Sequence, residues 1–450
     1  MADNGSGAKS DTTVAWPSAR SGWFLVVMLT IAYVLSFVDR YILGLLIEPI
    51  KADLQLTDQQ IGLVIGTAFA VFYATMGIPL GWLIDRRRRT WIVATGILVW
   101  SIATVMSGFA TRFWHLFLAR MMVGAGEATL SPAAFSMIAD SFPPERRGKP
   151  ISFYSAALSL GAGLASLIGG GVLLWAKTTP SIILPVVGEI APWQATFLAF
   201  GFPGLALAAV FIFMREPPRR KSAVANDELG GNSLGDAAGF VYSHLGTYTS
   251  FVSLICVMTI MAYSQSFLPS TFNRTWGWEI ENYAFANGAA LLAIGPAVVL
   301  FSGWLSDRWS QRGMRNAPYR ILVIGYLVML PAGILPYFMS SGVAAFAILC
   351  VNTVGIAIVT AVGVTALLLI TPSQIRGQMV AFYYITIGMA GLMVGPTTVG
   401  WLSTSVFGEE NIRYAMAAVP AIFGTIPLLL LPVTSRLFAA QMERVGGTAG

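Results

Sequence analysis

Twelve apolar blocks alternate with short polar stretches along the chain, beginning near Trp23, Gln60, Trp91, Trp114, Ile151 and Trp193, and again near Thr247, Tyr283, Arg320, Gly342, Gln378 and Ile412. A helix needs about 20 apolar residues to cross the hydrocarbon core, and each block supplies that length, so the pattern predicts twelve membrane-spanning helices joined by short loops. One polar stretch is long: Arg215-Glu-Pro-Pro-Arg-Arg-Lys221 and onward to about Gly235. Residues 237–244 follow it and are suited to an interfacial helix lying flat on the membrane. The pattern therefore divides the chain into a tail (1–22), a six-helix bundle (23–214), a linker (215–245), a second six-helix bundle (246–436) and a closing tail (437–450).

Composition sharpens the class. The 450 residues are 56% hydrophobic and 11% charged, where soluble domains carry about 25% charged residues. No large soluble domain fits between the blocks. The net charge of +6 comes from short basic clusters between apolar runs, which orient a chain in a bilayer and give no reason to expect a nucleic-acid partner. Of the 27 Lys and Arg residues, 20 fall in the tails and even-numbered loops, with the densest clusters at Arg86 to Arg89, Arg146 to Lys149 and Arg215 to Lys221. The odd-numbered loops hold only Lys51, Arg112, Lys177, Arg274 and Arg413. The asymmetry predicts that both termini are cytoplasmic. Cys256 and Cys350 lie within apolar runs, so neither a disulfide framework nor a cysteine metal site is expected.

The halves echo each other. Gly81-Trp-Leu-Ile-Asp85-Arg86, after the second block, returns as Gly303-Trp-Leu-Ser-Asp307-Arg308 after the eighth, at an offset of 222. Arg147-Gly148 with Phe153-Tyr154 returns as Arg376-Gly377 with Phe382-Tyr383, at an offset of 229. Two parallel six-helix repeats are an architecture of secondary transporters, with the site between them near the bilayer midplane.

Ionisable residues inside a span cost roughly 2.5 to 3.5 kcal/mol at mid-bilayer on insertion scales and mark function by default. Asp39 and Arg40 in the first block and Arg120 and Glu127 in the fourth are of this kind. At 1.5 Å of rise per residue, Asp39 stands about 24 Å along a helix starting at Trp23, and the other three occupy overlapping depths. Arg120 and Glu127, seven apart, share one helix face, whereas Asp39 and Arg40 point about 100° apart, so at most one of them points straight into a cavity. This constellation suits proton coupling by Asp39 and Glu127, with Arg40 and Arg120 organising them or receiving an anionic headgroup. A static ion-pair network is the competing account. The second half has no ionisable residue inside its apolar runs, and Gln265, Asn352, Tyr383 and Tyr384 are its candidates for polar contacts with a substrate. Charge on one wall and apolar groups on the other fit an amphiphile.

Gly81-x-x-x-Asp85-Arg86 with Arg87 to Arg89, Arg120-x-x-x-Gly124-x-Gly126-Glu127-Ala128, and Asp140-x-Phe142-Pro143-x-Glu145-Arg146-Arg147-Gly148 resemble three loop and helix signatures of the major facilitator superfamily. Arg88 stands where the family pattern usually has glycine. Within the superfamily, Asp39-Arg40-Tyr41, Val123-Gly124-Ala125-Gly126-Glu127-Ala128, Ser131 and Ile138-Ala139-Asp140 resemble the Spinster family. In the fifth block, Gly161-Ala-Gly-Leu-Ala165-Ser166-Leu-Ile-Gly169-Gly170 lacks the central Gly-Pro of many drug antiporters.

The resemblance implies an all-α polytopic membrane protein with the major facilitator fold, both ends inside, moving lysolipid- or sphingosine-1-phosphate-like substrates. It also implies a cytoplasmic gating latch drawn from Asp85, Arg86, Arg89, Asp140, Arg147, Asp307 and Arg308. The expected partners are an amphiphilic lipid or small-molecule substrate, protons and membrane lipids, for a monomer in a bacterial inner membrane. A small organic anion or a hydrophobic drug is the alternative cargo, and a non-transporting lipid receptor a third class. An enzyme is not expected: His115 and His244 lie far apart near predicted membrane margins, and no phosphate loop, nucleophile motif or metal-ligand spacing is present, so no cofactor or metal is assigned.

Overall fold

The computed structural model describes residues 16–143, 146–179, 182–184, 188–219, 234–372 and 375–447. The start of the expected tail (1–15), Glu145 of the loop signature, part of the linker (220–233) and the last residues (448–450) lie outside the described residues. In the first half α1 (Ala19–Leu45) leads through α2 (Ile47–Leu54) to α3 (Asp58–Gly62), which a π-helical turn at Leu63–Ala68 joins to α4 (Phe69–Arg86). Then come α5 (Arg89–Ser107), α6 (Phe113–Glu127), α7 (Leu130–Ser141), α8 (Gly148–Thr178) and α9 (Pro192–Phe213). The second half begins with α10 (Leu234–Ser243), α11 (Leu245–Ser264), α12 (Leu268–Trp276), α13 (Ile280–Gln311) and α14 (Ala317–Ile334). It continues through α15 (Gly342–Leu369), α16 (Arg376–Met389), α17 (Gly395–Leu402), α18 (Ile412–Leu429) and α19 (Leu431–Gly447).

Eleven continuous helical stretches among the described residues are long and apolar enough to cross a membrane, and their starts differ from the apolar blocks by at most four residues, Ala19 against Trp23. The fourth block is divided between α6 and α7. Pro132 has no N–H to offer the carbonyl of Ala128, and it sits in the first turn of α7, where a missing N–H costs least, so the break is placed just before it. The hydroxyl of Thr129 closes the break by donating to the carbonyl of Gly126 at 2.8 Å. The break follows directly on Glu127, which ends α6.

Two details add to the all-helical expectation. Strands β1 (Ile182–Leu184) and β2 (Gly188–Ile190) pair antiparallel between α8 and α9, too short to show a period-two pattern. The segment expected to lie on the interface is helical as α10; its Phe240 and Val241 pack on the second-half core while Tyr242 is exposed.

The buried core shows where the halves meet. One cluster is shared by both halves at the end where α1 passes into α2, joining Ile42, Leu46 and Trp193 to Phe267, Phe272, Tyr283 and Ile412. A second holds first-half residues such as Leu29, Phe69, Trp100, Ile138 and Phe211, with Leu392 at its edge. A third lies within the second half around Phe251, Leu322, Tyr326, Val362 and Phe438. The halves are thus joined through a shared core at one end and largely separately cored at the end carrying the basic loops.

The join is tight at backbone level along α3 and α17. A Cβ on Gly62 would stand 2.5 Å from the carbonyl oxygen of Pro396, and one on Gly400 would stand 2.3 Å from that of Asp58. Only glycine allows this approach, the membrane equivalent of small-residue helix packing. The hydroxyls of Thr67 and Thr397 bond across the same seam at 2.9 Å.

Candidate functional site

The four intramembrane charges meet as two crossed pairs between α1 and α6. Arg120 Nη1 donates to Asp39 Oδ2 at 2.8 Å, and the hydroxyl of Thr104 on α5 donates to the other carboxylate oxygen at 2.9 Å. Arg40 reaches the other way: its Nε donates to Glu127 Oε2 at 2.7 Å, its Nη2 contacts the same oxygen, and Ser36 donates there at 3.0 Å. Consecutive residues on α1 can serve partners seven positions apart on α6 because their side chains diverge by about 100° while Arg120 and Glu127 stand about 10 Å apart in rise.

Satisfaction is uneven. Glu127 takes three donors on Oε2, while Oε1 is buried with no partner among the described residues; Arg120 uses Nη1, with Nε and Nη2 unpartnered. Glu127 also closes α6, where the negative end of the helix dipole disfavours a carboxylate and leaves Arg40 as its counter-charge. A group that binds Arg40 must compete with Glu127, and a proton on Glu127 would release Arg40.

Arg40 lines a small cavity of about 50 Å³ between the halves. Tyr41, Ile65, Phe69 and Arg120 line it from the first half, and Ala262, Tyr263, Ser266 and Leu392 from the second. The Arg40 guanidinium sits over the rings of Phe69 at 4.5 Å, Phe37 at 5.1 Å and Tyr73 at 5.3 Å, a cation held among aromatic faces. Asp39 turns away into the interior toward α5 and α6. Sequence reasoning missed the aromatic surround; Phe37, one turn before Arg40, was its available signal.

The four second-half residues singled out for substrate contact do not line this cavity. Gln265 donates to Asn352 at 2.9 Å, and Asn352 donates to the carbonyl of Met329 at 2.8 Å, so the two amides are occupied with helix packing. Tyr383 is buried in the second-half core, and its ring stands edge-on to that of Tyr384, which is exposed. The apolar wall facing Arg40 comes instead from α11 and the π-helical turn at Ala390–Val394.

The residues assigned to a latch are dispersed in this conformation. Arg89 is 2% exposed and binds Asp140 at 2.5 Å and Ser136 at 2.8 Å in the first half, and Glu216 at 2.8 Å and the carbonyl of Pro217 at 3.0 Å at the start of the linker. Arg147 Nε donates to the carbonyl of Phe142 at 2.9 Å. Arg86 lies over Trp82 and Arg308 over Trp304, while Asp85 and Asp307 are exposed. Asp85 takes part through its carbonyl, which accepts from Arg219 together with those of Ile84 and Arg87. No ion pair between described residues joins the halves at this end.

At the opposite end the sequence concealed a second charge cluster. Asp58 is fully buried and accepts from Lys51 at 2.5 Å, from Arg274 at 2.7 and 2.9 Å and from Ser403 at 2.6 Å. Arg274 also holds Glu48 at 2.7 Å, and Lys51 holds Glu409 at 2.5 Å. Lys177 on α8 meets Glu279, the N-cap of α13, and Glu281 in its first turn. Every ion pair between the halves among the described residues lies at this end, which is closed.

Comparison with known proteins agrees with this architecture. The family profile of the Major Facilitator Superfamily matches residues 29–347. An MFS-type efflux pump of Mycolicibacterium smegmatis is 31% identical over 402 residues, covering 86% of each chain. Spinster homolog 1 of Xenopus tropicalis is 31% identical over 207 residues, 45% of this chain and 36% of that protein, so the match spans about a third of the frog protein's length. The crystal structure of a bacterial homologue of the human lysosomal transporter Spinster, inward-facing and unoccupied, superposes with a TM-score of 0.80 at 23% identity, covering 94% of this chain and 99% of that one. The chain belongs to the Major Facilitator Superfamily of transporters, and its matches to Spinster proteins in sequence and in fold set it beside that family.

Proposed function

We propose that this transporter moves an amphiphile, a lysolipid or sphingolipid-like molecule with an anionic headgroup, by alternating access with both termini inside, and that a proton on Glu127, in concert with Asp39, couples the movement. The observation that carries the reading is the placement of Arg40: its guanidinium lines the cavity among aromatic rings, spends its charge on one oxygen of Glu127, and faces a wall of Ala262, Tyr263 and Leu392 that bears no charge. A headgroup phosphate or carboxylate meets Arg40 while its chain lies against that wall. Displaced Glu127 then loses its counter-charge in a buried site and takes a proton. Arg120 remains with Asp39 and holds α6 in place.

The similarity to an efflux pump favours a second cargo for the same cavity, an amphiphilic drug whose anionic or polar end occupies the headgroup position. Flux of a fluorescent lysolipid in proteoliposomes, with and without an imposed pH gradient, separates the readings when wild type is compared with Glu127→Gln. Lysolipid flux that answers to the gradient in the wild type and loses that answer in the variant supports both the lipid and the proton. A lysolipid that stays put while a small organic anion or a drug moves would overturn the lipid assignment. Gradient-independent flux in both proteins would overturn the coupling.

A further inference from the structure

The charge cluster at the closed end is built from both halves in an unusual way. From the first half come Glu48 and Lys51 on α2 and Asp58 at the start of α3; from the second come Arg274 on α12 and Glu409 before α18. Three carboxylates share two cations. Asp58 holds one cation from each half, Lys51 at 2.5 Å and Arg274 at 2.7 Å. Arg274 likewise touches both halves: its side chain binds Glu48 and Asp58, while its Nη1 donates at 2.9 Å to the backbone carbonyl of Glu409, its neighbour within the second half. The carboxylate of Glu409 is turned to Lys51 and to the backbone N–H of Asp58, at 2.5 and 2.7 Å.

A clasp of plain ion pairs would strand charges when pulled apart, and a buried charge without its partner is expensive. This cluster avoids that. If the halves separate at this end, Asp58 keeps Lys51, already bonded to it from the same half. Arg274 loses Glu48 and Asp58 but already rests against the Glu409 backbone, so the Glu409 carboxylate, released from Lys51, is placed to take it. Each half leaves with one internal ion pair, and Glu48, whose side chain is 29% exposed, passes to water.

We propose that Glu48, Lys51, Asp58, Arg274 and Glu409 form the outer gate and that it opens by exchange of partners, Arg274 passing from Glu48 and Asp58 to the Glu409 carboxylate. Asp58 is its fixed point, buried under α17, where Gly400 brings the backbone against the Asp58 carbonyl. The inference uses alternating access and is independent of the cargo, because the gate is read without any substrate present.

The test reads the distance between spin labels at Thr111→Cys and Ser340→Cys, exposed positions at the outer end of the two halves, in the full chain in nanodiscs with Cys256 and Cys350 replaced by Ser. Two neutral variants each remove one carboxylate that pairs between the halves, and both positions are partly exposed, with side chains at 29% for Glu48 and 33% for Glu409, so folding tolerates them. Glu48→Gln weakens only the closed state and is expected to raise the outer-open population about two- to fivefold, the size expected of one partly exposed pair. Glu409→Gln weakens the closed state but also removes the partner that receives Arg274, so its outer-open population is expected to stay at or below the wild-type value. A Glu48→Gln distribution identical to wild type would show that the cluster is no gate. Equal opening in the two variants would show that the clasp simply ruptures and that no exchange occurs.

Discussion

Replacing Asp39 and Arg120 together is expected to cost the protein less stability than replacing either one. Their side chains are 6% and 2% exposed and joined at 2.8 Å. Removing one partner from a buried pair strands the other, at about 3–5 kcal/mol, whereas exchanging both for apolar residues of similar volume is often neutral or stabilising. The pair here is a poor bargain even when intact, since Arg120 Nε and Nη2 find no partner among the described residues. Asp39→Leu would leave Arg120 buried beside Phe197 with no counter-charge, and Arg120→Met would leave Asp39 with the single hydroxyl of Thr104. For a cooperative unit of 150–250 residues, the single variants should lose about 6–20 °C in Tm, and the double variant less than either. Thermal denaturation followed by size-exclusion recovery of the purified protein checks this. Flux in proteoliposomes then separates stability from function, because the double variant should fold and yet transport poorly. A double variant whose loss equals the sum of the two singles would refute the reasoning, since it would mean that the residues contribute independently and the pair carries no coupling.

Three further outcomes are expected. Pro132→Ala restores an N–H for the Ala128 carbonyl and lets α6 continue into α7, shifting Glu127 relative to Arg40; lysolipid flux should fall severalfold with Tm unchanged or raised, and normal flux would show that the break is incidental. Gly400→Val places a side chain where a Cβ already stands 2.3 Å from the Asp58 carbonyl, so the outer-end label distance should lengthen, and an unchanged distance would show that α17 slides without opening the seam. Arg89→Leu removes a buried guanidinium that binds Asp140, Glu216, Ser136 and the Pro217 carbonyl and should cost about 1–3 kcal/mol in stability, whereas Arg86→Leu, at an exposed position, should leave Tm within a degree or two; equal losses would contradict the internal clamp.

The residues differ in how much of this they disclose. The helices were legible because a bilayer demands long apolar runs, and the flanking Trp and Arg residues mark their ends. Asp39, Arg40, Arg120 and Glu127 stood out for the same reason, being charges in runs that otherwise exclude them. Their crossed pairing was hidden, since it depends on how α1 and α6 face each other. Glu48, Lys51, Asp58, Arg274 and Glu409 gave no signal at all. They lie near loop margins, where charges cost little and are common, and their partners are up to 358 positions away in sequence. The reading of Gln265, Asn352, Tyr383 and Tyr384 as substrate contacts met a different obstacle: polar side chains in an apolar helix serve packing as readily as binding, and only the fold shows that Asn352 is committed to Met329 and Tyr383 to the core.

The two crossed pairs also set how α1 can move. Two fastenings to one neighbour restrain the rotation of a helix more than one does. Asp39 with Arg120 and Arg40 with Glu127 are two such fastenings. Were a headgroup or a proton to undo the pair at Arg40, as proposed, the pair at Asp39 would still tie α1 to α6, so a change of charge at one side chain would loosen this 27-residue helix at one point and leave it anchored at the neighbouring residue.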